Sequence, residues 1–345
     1  MKRIGIVLAL LIVLIVAWRG AGDAGFWRRY ALAATNAAPD RVAAAITPRI
    51  RLAGDPQALP RGTAESESIA PEALSQAADR MHALKARALI VHRHGHRVLD
   101  VFSTGTSGAT PVTGGELTPV IFALALSPLV DTRRIGIDAA VQAVRQESAL
   151  YTATGWRNPW SAAARTRFNL HAAPQVLRGD ESAVQTLSER VWLPLHAQDA
   201  SLWGRDDQAL RVDCCIVAQL DAWMRLGDVL LQQGNFEGER IASADWIRAL
   251  LAADLGGRRH PVWLKRQQGT DGAEPPAARD TFWFDLGPGL RLWLVPRRAL
   301  SVLIWTDAAP QARDTEIPNL LIRGLIDQAP AIDAASALDQ IVPGH

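Results

Sequence analysis

The stretch ALIVHRHGHRVLDVF, residues 88–102, decides the fold of this chain. Two apolar runs, Ala88 to Val91 and Val98 to Phe102, flank a turn at Gly95, and this pattern predicts a β-hairpin. A two-stranded hairpin is only marginally stable in water, because it cannot bury a face by itself. The hairpin must therefore belong to a larger sheet whose other strands come from elsewhere in the chain.

The other strands are predicted near the C-terminus. Apolar and aromatic runs span 281–286, 290–295 and 300–305, and a Pro-Arg-Arg turn separates the last two. Helical patterns fill most of the sequence between the two groups of strands. The order predicts an α/β (α+β) fold, in which one antiparallel sheet is built from both chain ends and flanked by helices. A mainly helical middle region is expected beside that sheet.

Four helices have the clearest patterns. They are predicted over Pro71 to Lys85, over Asp213 to Gln233, from Ser243 onward, and over Ile317 to Asp327. In the second of them, Asp213 is expected to cap the N-terminus and Gly234 to end the helix.

The composition limits the class of protein. With 345 residues, of which 48% are hydrophobic, the chain can bury a large core and is neither disordered nor a small disulfide scaffold. Only Lys2, Lys85 and Lys265 are lysines, and the many arginines are scattered among acids, which argues against a nucleic-acid surface. The adjacent Cys214 and Cys215 match no zinc spacing and are expected to be buried thiols. No metal and no cofactor is expected.

The N-terminus has the pattern of a membrane anchor. No charged residue occurs from Ile4 to Trp18, and Lys2 and Arg3 precede this run. No good small-residue cleavage site follows directly, so residues 1–25 are predicted to be an uncleaved signal anchor. With Lys2 and Arg3 held in the cytoplasm, the remaining chain would face the periplasm from the inner membrane.

Two further segments follow the predicted anchor. Residues 26–70 are rich in alanine, proline and polar residues, which is typical of a spacer that contains at most a short helix. Residues 71–345 are predicted to form one large domain, since the strands and helices described above all lie within them.

Five stretches of the predicted domain resemble successive landmarks of the serine β-lactamase and penicillin-binding-protein superfamily. They are ALIVHRHGHRVLDVFSTG (88–105), LVDTRRIGIDAAV (129–141), SERVWLPLHAQDASLW (188–203), CCIVAQLDAWMRLGDVLLQQGNFEGERIASADW (214–246) and LRLWLVPRRALSVLIW (290–305). The chain is most similar to the branch of class C β-lactamases, esterases and nylon-oligomer hydrolases. The resemblance implies a β-lactamase/transpeptidase-like fold and three catalytic motifs.

The first motif that the resemblance implies is S-x-x-K, in which a lysine activates a serine nucleophile. Counting back from Asp131 and Ile135, which match the end of the family's helix and the turn after it, the serine position falls on Glu116 and the lysine position on Pro119. Neither residue can perform this chemistry. A shift of register does not restore the motif, because no serine stands three residues before any lysine of the chain.

The other two motifs are also degenerate. Where the family has a tyrosine that moves protons, this chain has Leu170 or Asn169, and Tyr151 lies about twenty residues too early. Where the family has K-T-G or H-x-G on an inner strand, this chain reads Pro288-Gly289, so that only the glycine remains. All three motifs therefore lack the groups that the chemistry requires.

No other nucleophile signature replaces them. G-x-S-x-G, H-E-x-x-H, P-loop and dinucleotide-binding patterns are absent from the sequence. Thr118 and Ser161 are the hydroxyls that an unfamiliar hydrolase could use, although Thr118 is better explained as an N-cap before Pro119.

Two other clusters are candidates for binding. His92, His94 and His96 alternate along the hairpin and could in principle ligate a metal, but the turn interrupts them and no carboxylate partner is visible, so exposed turn residues are expected. Trp156, Arg157, Asn158 and Trp160 lie where the family's cleft rim lies, and could stack on a peptide or a sugar.

The sequence leaves three classes of function open. The favoured one is a membrane-anchored, envelope-facing and catalytically inactive relative that binds a peptide, a cell-wall-derived ligand or a protein partner. The second is an amide or ester hydrolase of the same family that uses non-standard residues. The third is a structural or partner-stabilising domain whose cleft has been filled.

Overall fold

The computed structural model describes Leu11 and residues 24–152, 155–170, 175–177, 182–252, 276–307 and 315–326; the side chains of 147–152 and of 252 lie outside this description. Its helices are α1 Ala24–Ala34, α2 Pro39–Ala45, α3 Pro71–Ala83, α4 Thr118–Ala125, α5 Ser127–Asp131, α6 Ile137–Thr152, α7 Ala162–Phe168, α8 Ala183–Leu187, α9 Leu220–Leu231, α10 Ala244–Ala252 and α11 Glu316–Arg323. Its strands are β1 Arg49–Leu52, β2 Ala88–Arg93, β3 His96–Phe102, β4 Pro111–Thr113, β5 Ala200–Asp206, β6 Ala209–Leu210, β7 Val217–Gln219, β8 Asn235–Phe236, β9 Glu239–Arg240, β10 Phe282–Gly287, β11 Leu290–Val295 and β12 Leu300–Trp305.

A five-stranded antiparallel sheet combines the two ends of the domain, in the order β10-β11-β12-β2-β3. The hairpin β2–β3 joins the C-terminal strands through the pairing of β12 with β2, in which Val302 lies opposite Val91. Strands β2 and β12 are buried along their whole length, including the polar residues His92, Arg93 and Ser301. The predicted sheet and its five strands are therefore confirmed.

Helix α9 packs across the five-stranded sheet and carries much of the core. Ten of its residues, from Leu220 to Leu230, are buried. Gly227 lets the helix approach closely, because a Cβ at this position would lie 2.9 Å from a methyl group of Leu292 on β11. The core between the helix and the sheet therefore joins residues that are distant in sequence, such as Gly227 and Leu292, which are 65 positions apart.

A second antiparallel sheet lies in the middle region, where the sequence predicts mainly helices. It has the order β1-β5-β7-β4, with β6 added to β5. Strand β1 pairs with β5 over four residues, from Arg49 opposite Trp203 to Leu52 opposite Ala200. The prediction of a mainly helical middle region is therefore incomplete, because short strands distant in sequence form a sheet there.

The segment predicted as a spacer, residues 26–70, packs onto the domain for much of its length. Phe26, Ala43, Ile46 and Leu52 are at most 2% exposed, and they come from α1, α2 and β1 and the connection between them. A segment that buries its apolar side chains in this way is part of the domain. The spacer prediction is therefore wrong for these elements, and the domain begins before residue 71.

The helix predicted from Asp213 begins later, at Leu220. Asp213 is fully buried and accepts hydrogen bonds from the Arg211 guanidinium, with Arg211 Nε 2.8 Å from Asp213 Oδ1. It is therefore an ion-pair partner and not an N-cap. Cys214 and Cys215 are bonded to each other as a disulfide, which corrects the expectation of two free thiols.

The remaining helix predictions agree with the structure within a few residues. Helix α3 begins at Pro71 as predicted, α11 spans Glu316–Arg323, and the Ser243 hydroxyl accepts from the backbone N–H of Trp246 at the start of α10. Across the described ranges, no helix is long and apolar enough to span a bilayer. The predicted anchor, Ile4 to Trp18, lies outside the described residues apart from Leu11.

Candidate functional site

The position that the resemblance assigns to the nucleophile, Glu116, lies in a 3₁₀ turn at Gly115–Leu117, directly before α4. Gly115 has a φ of +47°, and a Cβ there would collide with the backbone carbonyl of Asp285 on β10. Only glycine adopts this positive φ without strain and also avoids the collision, because it has no Cβ. The turn and the edge strand β10 are therefore in direct backbone contact.

The Glu116 side chain completes this contact. Its Oε2 atom accepts a hydrogen bond from the backbone N–H of Asp285 at 2.8 Å. The Asp285 carboxylate in turn accepts from the backbone N–H of Gly287 at 3.0 Å, where β10 has an irregular register against β11. A carboxylate that accepts from an edge-strand N–H occupies the donor that an approaching carbonyl group would need.

Pro119 and Thr118 are fully buried at the start of α4. Pro119 occupies the first turn, where its missing N–H costs no hydrogen bond. Thr118 does not cap the helix, which corrects the expected role, and its Oγ1 has no hydrogen-bond partner among the described residues. A hydroxyl with no base in contact is a poor nucleophile at neutral pH.

Leu170, one of the two residues that the resemblance assigns to the tyrosine position, is part of an apolar cluster. The cluster consists of Val42, Ala43, Ile46, Leu170, Trp203, Cys214, Cys215 and Val217. Three of its members come from α2 and the residue after it, so the N-terminal segment packs against Leu170.

Pro288 and Gly289 lie in the turn between β10 and β11, outside both strands. Gly289 has a φ of +75°, and its carbonyl accepts from the backbone N–H of Thr306 at 2.8 Å, so this glycine is explained by the turn. Next to it, a Cβ at Gly287 would lie 2.9 Å from Pro39 Cγ. The end of β10 is therefore covered by the first residue of α2.

Two cationic side chains hold this N-terminal cover in place. Arg29 on α1 is 7% exposed, donates to the Phe168 carbonyl from Nε at 2.9 Å and from Nη2 at 2.7 Å, and lies 4.3 Å above the ring of Trp203. Arg87 pairs with Asp40 on α2 at 2.9 Å and lies 3.7 Å from the ring centre of Trp305. No pattern in the sequence of residues 26–70 indicated these contacts, because in each of them the two partners lie far apart in the sequence.

The candidate rim, residues 156–160, contacts α1. Trp160 packs edge-on against Trp27 with ring centres 5.6 Å apart, and Trp156 packs against Tyr30 at 6.2 Å. The Tyr30 hydroxyl donates to the Arg157 carbonyl, and Asn158 Oδ1 accepts from the Trp160 N–H at 3.0 Å.

Ser161, the other hydroxyl that was considered, follows this loop and caps helix α7. Its Oγ accepts from the backbone N–H of Ala164 at 3.0 Å and donates to the carbonyl of Asn158 at 2.7 Å. No base is among its partners.

The three hairpin histidines have carboxylate partners, which the sequence did not indicate, and the expectation of exposed turn residues is wrong for His92. His92 is fully buried, and its Nδ1 lies 2.7 Å from Asp228 Oδ2. His94 and His96 both bind Glu67, at 2.8 and 2.5 Å. Burial acts to raise the pKa of Glu67, but the hydrogen bonds from His96 and His94 outweigh it and hold that pKa below its usual value.

These contacts do not amount to a metal centre. In the part of the chain that the structure describes, no group of three or more His, Cys, Asp or Glu side chains is placed to hold a metal ion.

A polar cavity of about 290 Å³ lies at the opposite edge of the five-stranded sheet, beside β3. Its lining includes Arg97, Asp221 and Arg225. Arg97 pairs with Asp221 at 2.7 Å, and Arg225 donates to the carbonyls of Leu195 and Gln57. Burial lowers the pKa of Arg225. Arg97 and Arg225 therefore both have partners within the chain.

The fold is similar to that of several solved hydrolases. A protein from Bacillus anthracis assigned as a 6-aminohexanoate-dimer hydrolase superposes with a TM-score of 0.54 at 14% identity, over 87% of this chain and 93% of that chain. A β-lactamase from Mycobacterium bovis gives 0.47 at 14% identity, over 77% and 100%. FmtA from Staphylococcus aureus gives 0.48 at 9% identity, over 81% and 94%. No protein-family model and no curated protein matches the sequence.

The chain has the fold of the serine β-lactamase and penicillin-binding-protein superfamily. The sequence resemblance is thereby confirmed at the level of the fold. At 14% identity this likeness shows the fold alone. Any activity has to be argued from the side chains of this chain.

Proposed function

We propose that this chain is a membrane-anchored, envelope-facing protein that has the serine-hydrolase fold without its catalytic activity and acts by binding a partner. The observation that carries the proposal is the hydrogen bond from the Asp285 N–H to the Glu116 carboxylate, 2.8 Å long. It places an acceptor-only side chain at the nucleophile position and uses an N–H of the neighbouring edge strand. This arrangement stabilises the free protein and offers nothing to a substrate carbonyl.

Contacts with the chain's own N-terminal segment favour a macromolecular partner over a small substrate. Pro39 lies against Gly287 at the end of β10, next to the Pro288-Gly289 position, and Leu170 packs among apolar side chains of α2. Binding of a peptide, a cell-wall-derived ligand or a protein would therefore occur on the outer surface of the domain.

The hydrolase alternative has weaker support. Thr118 is buried without a hydrogen-bond partner among the described residues, and Ser161 is engaged in capping α7. Neither hydroxyl has a His, Lys, Asp or Glu side chain as a recorded hydrogen-bond partner, so neither has the neighbouring base that activates an alcohol.

The anchor is part of the proposal and rests on the apolar run from Ile4 to Trp18, with Lys2 and Arg3 before it. The mature protein is expected to start at Met1 or Lys2 and to remain in the inner membrane after a high-salt wash, with its domain in the periplasm. A soluble form that starts near Asp23 or Gly25 would contradict the anchor without affecting the cleft.

Acyl-enzyme formation tests the inactivity directly. The purified full chain is treated with a fluorescent penicillin and a fluorophosphonate probe, and is assayed with nitrocefin, beside an active serine β-lactamase as positive control. We expect no covalent adduct and no hydrolysis above background, and the same result for Thr118→Val and Ser161→Ala. Stoichiometric labelling by intact mass, mapped to one hydroxyl and removed by one of these substitutions, would replace the proposal with the hydrolase alternative.

A further inference from the structure

Helix α1 and the loop before α7 form one surface of unusual composition. Residues 24–34 and 155–170 together contain five arginines and no aspartate or glutamate. The two segments pack on each other through an aromatic cluster of Phe26, Trp27, Tyr30, Trp156 and Phe168. A tight aromatic cluster beneath a layer of arginines gives this surface a fixed shape and a positive charge.

The outward-facing part of this surface combines a large apolar side chain with cations. Trp160 is 53% exposed although it contacts Trp27, and Arg28, Arg157 and Arg165 are exposed on the same two segments. We call these four exposed residues, Trp160, Arg28, Arg157 and Arg165, the Trp/Arg surface.

Tryptophan and arginine are the side chains that suit a membrane–water interface. The indole ring is favoured at the level of the headgroups, and basic side chains are attracted to anionic lipids. The charge complementarity therefore points to an anionic surface, and the exposed ring indicates one with an apolar layer within reach.

The position of the surface along the chain agrees with this partner. Helix α1 begins at Ala24, six positions after Trp18, where the apolar run ends. Six positions span at most about 22 Å when fully extended. If the run is in the bilayer, α1 is held next to the headgroups.

We propose that the Trp/Arg surface docks on a bilayer containing anionic lipid and fixes the orientation of the domain on the membrane. The proposal rests on the anchor of the proposed function for its geometry, but the docking itself is a separate contact. It assigns residues 156–160 to lipid headgroups in place of a peptide or sugar ligand.

A fluorescent label beside Trp160 measures the docking. The full chain carrying Ala162→Cys, labelled with an environment-sensitive dye, is reconstituted in vesicles of equal parts phosphatidylglycerol and phosphatidylcholine that contain a doxyl-lipid quencher. Ala162 is exposed, and the native cysteines are bonded to each other. The control label is placed at Thr104→Cys, an exposed residue in the turn after β3. We expect quenching at residue 162, little at residue 104, and less at 162 in pure phosphatidylcholine.

Substitution of the arginines separates charge attraction from mere proximity. Arg157→Gln with Arg165→Gln should weaken docking about fivefold for each arginine, whereas Arg205→Gln with Arg240→Gln, exposed elsewhere, should leave it unchanged. Equal quenching at residues 162 and 104, or no effect of lipid charge and of Arg157 and Arg165, would overturn the proposal. An unquenched label at 162 would leave this surface to a protein partner.

The anchor is scored in the same vesicles by retention after a high-salt wash. If the chain is washed off, the anchor of the proposed function fails, and quenching at low salt then decides the Trp/Arg surface by itself. If the chain is retained and residue 162 is not quenched, the anchor stands and the surface proposal fails.

Discussion

The Glu116 carboxylate and the Asp285 backbone N–H, 2.8 Å apart, join two parts of the domain that are 169 residues apart in the chain. One partner belongs to the turn that begins helix α4, and the other to the edge strand of the five-stranded sheet. The Glu116 side chain thus binds the turn to the strand, and the contact contributes to the stability of the domain.

Replacement of Glu116 should therefore destabilise the fold. A hydrogen bond to a charged group contributes about 1.5–3 kcal/mol, so Glu116→Ala is expected to lower the free energy of unfolding by about that amount. Glu116→Gln keeps an acceptor oxygen and should lose less. Denaturant unfolding of both variants measures the difference. Identical midpoints for wild type and Glu116→Ala would show that the contact carries no net stability.

The five-stranded sheet could be predicted because each of its strands has a long apolar or alternating run. The second sheet could not, because β4 and β7 have only three residues each, and β1 pairs with β5 across about 150 positions. Asp213 was misassigned for a related reason. An aspartate before an apolar helical run has the pattern of an N-cap, and the buried Arg211 that it pairs with has no sequence signature.

The candidate site, too, could be predicted only in part from the sequence. The resemblance led to Glu116 and Pro119 as positions of interest. Their contacts could not be predicted, since Asp285 and Pro39 reach Glu116 and Gly287 through tertiary packing. The carboxylate partners of the hairpin histidines were missed because Asp228 lies 136 residues from His92.

Arg29 should be essential for the docking of α1. Arg29→Met removes the hydrogen bonds to the carbonyls of Phe168 and Thr47 and the stacking on Trp203, and should cost about 3 kcal/mol in the free energy of unfolding. The neighbouring Arg28 is exposed, so Arg28→Met is the matched control and should cost less than about 0.5 kcal/mol. Limited proteolysis within 24–34 should accelerate in the first variant only. Equal protection in both would mean that α1 is held by its apolar contacts alone.

The buried cluster of His92, Asp228 and Ser301 should be strongly coupled. Asp228 Oδ2 lies 2.7 Å from His92 Nδ1, and Asp228 Oδ1 accepts from the Ser301 hydroxyl at 2.7 Å, with all three side chains at most 1% exposed. Asp228→Ala leaves buried donors without a partner and should cost about 3–5 kcal/mol. The exposed Asp79→Ala should cost little.

A double-mutant cycle gives the coupling between Asp228 and Ser301. Ser301→Ala alone should cost about 1–3 kcal/mol, and the double variant should cost clearly less than the sum of the single ones. Additive values would indicate that the hydroxyl and the carboxylate do not interact in the folded protein.

Glu67 should make stability depend on acid pH. Although burial acts to raise its pKa, the hydrogen bonds from His96 and His94 hold it below the usual value, so the folded pKa lies below that of the unfolded chain. Such a group stabilises the fold above its unfolded pKa, about 4.3, and that stabilisation is lost as the pH falls through the folded value. The difference in unfolding free energy between wild type and Glu67→Gln should therefore shrink as the pH falls below about 4. The exposed neighbour Glu65→Gln serves as control and should show a much smaller change over the same range. A difference for Glu67→Gln that stayed constant down to the acid transition would mean that its carboxylate has the same pKa in the folded and unfolded chain.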